Sequence, residues 1–175
     1  MHRRRFLLLL VLALGLYFGY MYWREHRFDA VIAAAAGRYQ MDPALVKAVV
    51  WQESRFHPNV RGGAGELGLM QVREDAALEW ASDEHITEFE HAACLDPATN
   101  TLAGTWYLKK MLLRYKQADN PLPYALADYN AGRGNVLKWR TGSAITNSAA
   151  FMDQIGFPGT KAYVQAVMKR YEHYR

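Results

Sequence analysis

Trp51-Gln52-Glu53-Ser54-Arg55-Phe56, followed a short way on by Gly68-Leu69-Met70-Gln71, is the stretch whose reading decides the fold of this chain. Leu45, Val46, Val49 and Val50 recur at helical spacing behind the carboxylate, which predicts a helix with Glu53 on its last turn and the opposite face buried. A carboxyl group held against apolar neighbours resists ionisation. That property suits a general acid at neutral pH, because a proton already lost cannot be donated to a leaving group. A single glutamate near a helix end is commonly just solvated, so its weight depends on the company it keeps.

Working outward, the pattern is helical nearly throughout, and the fold class expected is all-α. Asp29 to Tyr39 forms one helix, with Val31, Ile32, Ala35 and Ala36 on one face, and Asp42-Pro43 reads as N-cap and first-turn proline of the helix ending near Glu53. Pro58, Gly62, Gly63 and Gly65 make residues 57 to 66 a loop, and a helix is expected from Gly68 to Trp80. Residues 81 to 95 are ambiguous. Asp96-Pro97 repeats the capping signal and opens a helix to about Tyr115 that offers Leu102, Trp106, Leu108, Met111 and Leu112 to the core. A short helix from Tyr124 to Tyr129 is broken by Gly132 and Gly134, a turn or two follows at Val136 to Trp139, and a last helix runs from about Thr160 to Tyr171.

Charge is unevenly spread along the 175 residues: the net +4 sits in residues 1 to 27, which hold five arginines and one glutamate. The remainder balances 16 basic against 16 acidic residues, so composition points to no nucleic-acid footprint. Phe6 to Trp23 is free of charge, and at 1.5 Å per residue a helix of that length reaches roughly 27 Å, close to a bilayer's hydrocarbon thickness. Arg3, Arg4 and Arg5 would stay cytoplasmic, with Tyr17, Tyr20, Tyr22 and Trp23 as an interfacial belt at the far end. Two units are therefore expected: residues 1–27 as a basic tip and transmembrane signal anchor, and residues 28–175 as one catalytic or binding domain on the extracytoplasmic side. The rival is a cleaved signal peptide, whose nearest cleavage pattern, Ala13-Leu14-Gly15, comes too early to leave a full apolar core. The single cysteine, Cys94, excludes an intramolecular disulfide. The histidines and carboxylates show no metal-ligand spacing, and no nucleotide-binding motif is present, so no metal and no cofactor are expected.

Glu53-Ser54-Arg55-Phe56, Gly65-Glu66-Leu67-Gly68-Leu69-Met70-Gln71, Asn100 with Gly104 and Tyr107-Leu108, Tyr129-Asn130-Ala131-Gly132, and Thr160-Lys161-Ala162-Tyr163-Val164 come in the order and approximate spacing of a known domain. Over residues 28 to 175 the chain resembles the lytic transglycosylase domain of the soluble lytic transglycosylase type, within the lysozyme-like superfamily. The resemblance implies cleavage of the β-1,4 bond between N-acetylmuramic acid and N-acetylglucosamine in peptidoglycan strands, ending in a 1,6-anhydro ring. It makes Glu53 the one catalytic carboxyl, acid first and base second. By the same match Met70 and Gln71 line the cleft beside the scissile bond, Tyr129 approaches Glu53 and the sugar, Asn130 joins the substrate-binding set, and Ser54, Gly68 and Tyr163 hold the structure. Tyr163 reads as a core residue.

Three positions depart from the family pattern. Gly62 stands where a serine is often found, Asp128 replaces an alanine before Tyr129-Asn130, and Glu66 is an added acid before Gly68. Both acids are expected at the surface or in caps. Should either face Glu53, it would raise that residue's proton affinity or activate water, moving the chemistry toward hydrolysis. Two other readings stay open beside the transglycosylase: a water-using muramidase resembling goose-type lysozyme, and a non-catalytic glycan-binding scaffold with a partner in a cell-envelope assembly.

Overall fold

A computed structural model describes residues 2–175. Helix α1 spans His2–His26, and after a turn at residues 27–28 the chain continues into α2, Asp29–Arg38. There follow α3 (Pro43–Ser54), α4 (Glu74–Asp83), a 3-10 turn at His91–Leu95, α5 (Pro97–Arg114), α6 (Leu122–Ala131), α7 (Arg133–Trp139), a second 3-10 turn at Gly142–Ile145, α8 (Ser148–Gln154) and α9 (Pro158–Tyr174). Among the described residues, extended pairing is limited to two isolated bridges, Arg61 with Leu67 and Leu67 with Val72.

The caps act as the sequence implies. Asp42 accepts from the Ala44 amide and Asp96 from the Thr99 amide, each at 2.9 Å, satisfying donors that a helix start leaves free. A third cap, Asn147 on the Ala150 amide, starts α8, a helix that the sequence reading did not include. α5 is the axis of the domain: it packs on α2, α4 and α6, and buries Ala103, Leu108 and Met111 with the polar Asn100, Thr101 and Thr105. α3 lies against α9, and α6 also packs on α9. On α3, Val46, Val49 and Val50 are wholly buried, each contributing about 1.5 to 3 kcal/mol relative to exposure.

The helix expected from Gly68 to Trp80 is a turn followed by a shorter helix. Gly68 has φ +75°, Gln71 has φ 48°, and α4 begins only at Glu74. The apolar residues that imitate a helical stripe, Leu69, Met70 and Val72, are instead buried within a tight turn pinned from α5. Asn100 supplies the pins: its Oδ1 accepts from the Met70 amide, and its Nδ2 donates to the carbonyls of Leu67 and Cys94, all at 2.7 Å. Gly68 has to be glycine, because a Cβ there would stand 2.4 Å from Asn100 Nδ2 and 2.5 Å from the Cys94 carbonyl.

α1 is long and apolar enough to cross a membrane, and the domain does not cover it: Leu9 is 65% and Leu16 is 68% exposed. The end of α1 and the turn after it meet the rest of the chain. Arg27 donates to the Phe56 carbonyl, and the Tyr174 hydroxyl donates to Glu25 at 2.5 Å. Cys94 is a buried free thiol.

Candidate active site

α3 delivers Glu53 to the wall of a cleft of about 410 Å³, lined also by Glu66, Gln71, Tyr107, Asp128, Tyr129, Asn130 and Arg133. The helix stops at once beyond it. Arg55 and Phe56 both take left-handed backbone, φ 52° and 62°, so the chain turns away and leaves the last turn of α3 open to the cleft. Ser54 faces inward and its hydroxyl donates to the Val50 carbonyl at 3.1 Å, one turn back.

The packing of α9 on α3 brings Tyr163 to Glu53, and the tyrosine hydroxyl donates to Glu53 Oε1 at 2.5 Å. The same tyrosine lies under the domain surface at 7% exposure, so it is at once a core residue and the direct partner of the acid. Burial raises Glu53 to about 7; the Tyr163 hydrogen bond opposes this, and the charge of Glu66 adds to it. No cation lies within ion-pair distance of Glu53 among the described residues. Burial and the charge of Glu53 hold both Tyr163 and Tyr129 well above the ordinary phenol range, so both are neutral hydrogen-bond donors at physiological pH.

The turn at residues 68–71 divides the roles of its neighbours. Met70 does not line the cleft: its side chain is wholly buried, with its sulfur against Gly104 and 3.8 Å from the Thr105 hydroxyl, because the Asn100 pin turns it inward. Its carbonyl is what serves the site, accepting from the Tyr129 hydroxyl at 2.8 Å. Gln71, in strained left-handed backbone, does line the cleft, while its Nε2 braces the loop through the carbonyls of Gly68 (2.9 Å) and Val60 (3.2 Å). Asn130 reaches the cleft from the end of α6, with its Oδ1 accepting from Thr160 at 2.8 Å.

The two added acids differ. Asp128 is neither at the surface nor in a cap. It is 2% exposed and receives the Arg114 guanidinium at 2.5 Å and the Tyr115 hydroxyl at 2.7 Å. Glu66 does border the cleft, its Oε2 accepting from the Ala64 amide at 3.0 Å, and it occupies space left by Gly62, where a Cβ would stand 2.2 Å from that oxygen. Tyr107 and Arg133 also line the cleft and were not singled out as site residues by sequence; only the Tyr107-Leu108 pairing in the motif marked either of them. No group of three or more His, Cys, Asp or Glu side chains converges among the described residues.

Comparison with known proteins adds the family. The transglycosylase SLT domain model matches residues 30–151. The soluble lytic murein transglycosylase of Salmonella typhimurium is 35% identical over 157 residues, 86% of this chain and 24% of the relative. Membrane-bound lytic murein transglycosylase F of Desulfosudis oleivorans is 35% identical over 119 residues, 66% of this chain and 24% of the relative. The solved structure of an inactive glutamate-to-glutamine mutant of lytic transglycosylase Slt from Pseudomonas aeruginosa superposes with a TM-score of 0.75 at 26% identity, covering 83% of this chain and 23% of that one. The chain thus spans about a quarter of the length of these curated relatives. With its helices and these matches together, it has the all-α, lysozyme-like architecture and belongs to the transglycosylase SLT domain family.

Proposed function

We propose that the chain is a membrane-anchored lytic transglycosylase, acting on the β-1,4 bond between N-acetylmuramic acid and N-acetylglucosamine of peptidoglycan. The observation that carries this reading is Glu53: a carboxyl raised to about 7 in a cleft, with a tyrosine hydroxyl and no cation as partner. At neutral pH a large share of such a group is protonated, so it gives its proton to the leaving glycosidic oxygen as the bond to C1 breaks. The substrate's own acetamido group supports the cationic C1. The resulting carboxylate, steadied by Tyr163, then takes the proton of the C6 hydroxyl while that oxygen attacks C1. No water is consumed and Glu53 ends protonated, as it began. Gln71, Tyr129 and Asn130 hold the sugars, and the Met70 carbonyl keeps Tyr129 in place.

A second reading has one observation in its favour. Glu66 shares the cleft with Glu53, and a second carboxylate is what a hydrolase uses to activate water. Mass spectrometry of released muropeptides separates the two, since the anhydro product lacks one water. Products with a free reducing end refute the transglycosylase.

The anchoring belongs to the same proposal. α1 spans the bilayer, residues 3–5 stay in the cytoplasm and residues 28–175 lie outside it, a reading supported by the exposed apolar surface of α1 and by relatives named membrane-bound. The mature protein should keep its N-terminus and stay in the membrane fraction through a salt wash. An N-terminus near residue 16 or 24 refutes the anchor.

A further inference from the structure

A cluster of positive charge, unused by the cleft, lies where α1 meets the domain. Trp51 of α3 is clamped between two guanidinium groups: the central carbon of Arg55 lies 3.1 Å from the ring centroid and that of Arg170, from α9, 3.6 Å. Both cations are drawn to the indole ring but repel one another, and an anion held between them would relieve that repulsion. Arg24 adds to the same field. Burial, then the charges of Arg170 and Arg24, loosen the hold of Arg55 on its proton. The Nε atoms of Arg24 and Arg27 are buried without a hydrogen-bond partner. Arg27 is already engaged with the Phe56 carbonyl. Of the carboxylates at this junction, Glu25 takes the Tyr174 hydroxyl at 2.5 Å and stands 3.9 Å from Arg170, and Asp29 pairs with Lys47, so Arg24, Arg27 and Arg55 have no salt-bridge carboxylate among the described residues.

The height of this cluster identifies its ligand. The uncharged run of α1 ends at Trp23, and Arg24 is the next residue. The end of α1 is also fixed to the domain: the Arg27 amide donates to the Trp23 carbonyl at 2.9 Å, while Tyr174 and Phe56 hold Glu25 and Arg27 from α9 and from the end of α3. Arg170, 3.9 Å from Glu25, and Arg55 on the same Trp51 ring are therefore held near the point where α1 leaves the hydrocarbon, at headgroup depth. We propose that Arg55 and Arg170 on the Trp51 ring, together with Arg24 at the end of α1, bind the phosphate of an anionic phospholipid headgroup in the leaflet from which α1 emerges. The inference rests on the anchoring reading above. Glu53 lies two positions from Trp51, roughly 200° around α3, yet the surface at Trp51 and Arg55 borders Asn130 and Tyr163, so the headgroup site adjoins the cleft.

The test uses the full chain in nanodiscs of phosphatidylcholine with and without phosphatidylglycerol, with retained lipid read by native mass spectrometry. The wild type should retain phosphatidylglycerol selectively, and Arg55→Gln/Arg170→Gln should lose that preference by roughly ten-fold or more, with helix content unchanged. Arg24→Gln, on the exposed anchor helix, should lose it in part and serves if the double variant folds poorly. An unchanged preference in a chain that stays membrane-bound overturns the proposal alone. Release of the wild type by alkaline carbonate overturns the anchoring reading and the proposal with it. Displacement of the lipid by inorganic phosphate makes this a site for free anions. Intact lipid selectivity with lost binding of stem-peptide muropeptides makes it a glycan-peptide subsite.

Discussion

Glu53 and Asp128 line the same cleft and are both carboxylates in a largely apolar setting, yet the fold treats them differently. Asp128 went inside with its counter-charge, Arg114 at 2.5 Å, and with the Tyr115 hydroxyl as a second donor. Glu53 has a neutral tyrosine and, among the described residues, no cation within ion-pair distance. Burial penalises the ionised form of Glu53, and the Tyr163 phenol offsets that penalty only in part. What makes a buried carboxyl a usable acid is therefore the missing cation, and each experiment below alters one partner in this comparison.

The largest effect should follow from removing the proton itself. Glu53→Gln keeps shape and packing, and acid or base help from one group is commonly worth about 10² to 10⁴ in rate, with more expected where one group serves both steps. Anhydro-muropeptide release should nearly vanish while glycan binding survives. The same variant tests the cause of the raised proton affinity. A carboxyl moved from 4.5 to about 7 lowers stability by about 3 kcal/mol once ionised in the fold. Because the folded value lies above the unfolded one, this stability is fully present below pH 4.5 and lost as pH rises through about 7. Denaturant unfolding should then find Glu53→Gln no more stable than the wild type at pH 4 and more stable at pH 8.5. Equal stabilities at pH 8.5 would mean that Glu53 is not held neutral.

Asp128→Asn should act on the fold instead of the chemistry. It leaves the Arg114 guanidinium without its counter-charge. Arg114 is 24% exposed, so water replaces part of the loss, and a drop of about 1 to 3 kcal/mol is expected, several degrees in Tm. The rate per folded molecule should change much less than for Glu53→Gln. A near-complete loss of activity at unchanged Tm would place Asp128 in the chemistry and undo the comparison.

How much of this contrast was legible beforehand follows from where each signal lies in the chain. Asp42-Pro43 and Asp96-Pro97 announced two helices because a cap and a first-turn proline act locally, and both caps are made. The spacing of Leu45, Val46, Val49 and Val50 likewise fixed which face α3 buries. The Gly68-Leu69-Met70-Gln71 turn was read as a helix because its pins come from Asn100, about thirty positions on, and local propensity carries no trace of them. The cleft position of Met70 is what the resemblance implies, and the side chain is instead buried against Gly104. Asp128 reads as a surface or capping acid in the sequence because its partner, Arg114, sits on another helix. Tyr163 is 110 residues from Glu53, and its hydrogen bond exists only because α9 packs on α3. The resemblance marked Tyr163, but nothing in the local sequence said that its hydroxyl meets the acid.

Tyr163→Phe sharpens the comparison from the side of the neutral partner. The hydroxyl donates to the carboxylate and so favours the ionised form; without it Glu53 should hold its proton to higher pH. The alkaline limb of kcat/KM should move up. The rate at neutral pH should fall several-fold, because the carboxylate that receives the C6 proton loses its orientation. An unmoved limb would mean that the tyrosine only packs.

The smallest effect should come from Glu66, and its sign is what matters. This acid reaches the cleft because residue 62 has no side chain: a Cβ there would lie 2.2 Å from Glu66 Oε2, which is also held by the Ala64 amide at 3.0 Å. Its negative charge makes ionisation of Glu53 harder, an influence weaker than burial or the Tyr163 hydrogen bond. Glu66→Gln retains an oxygen for the Ala64 amide but removes the charge, so the alkaline limb should move down, by less than Tyr163→Phe moves it up. The two substitutions combined should partly cancel. Gly62→Ser, which drives the Glu66 carboxylate aside while leaving it charged, should give a shift of the same sign as Glu66→Gln and no further shift in its presence. A general packing defect would lower the rate at every pH and leave the limb where it was. If wild-type products carried a reducing end and Glu66→Gln abolished their release, Glu66 would be the base for a water molecule. The cleft would then hold two working carboxylates on the same fold, and Glu53 would be the acid of a hydrolase.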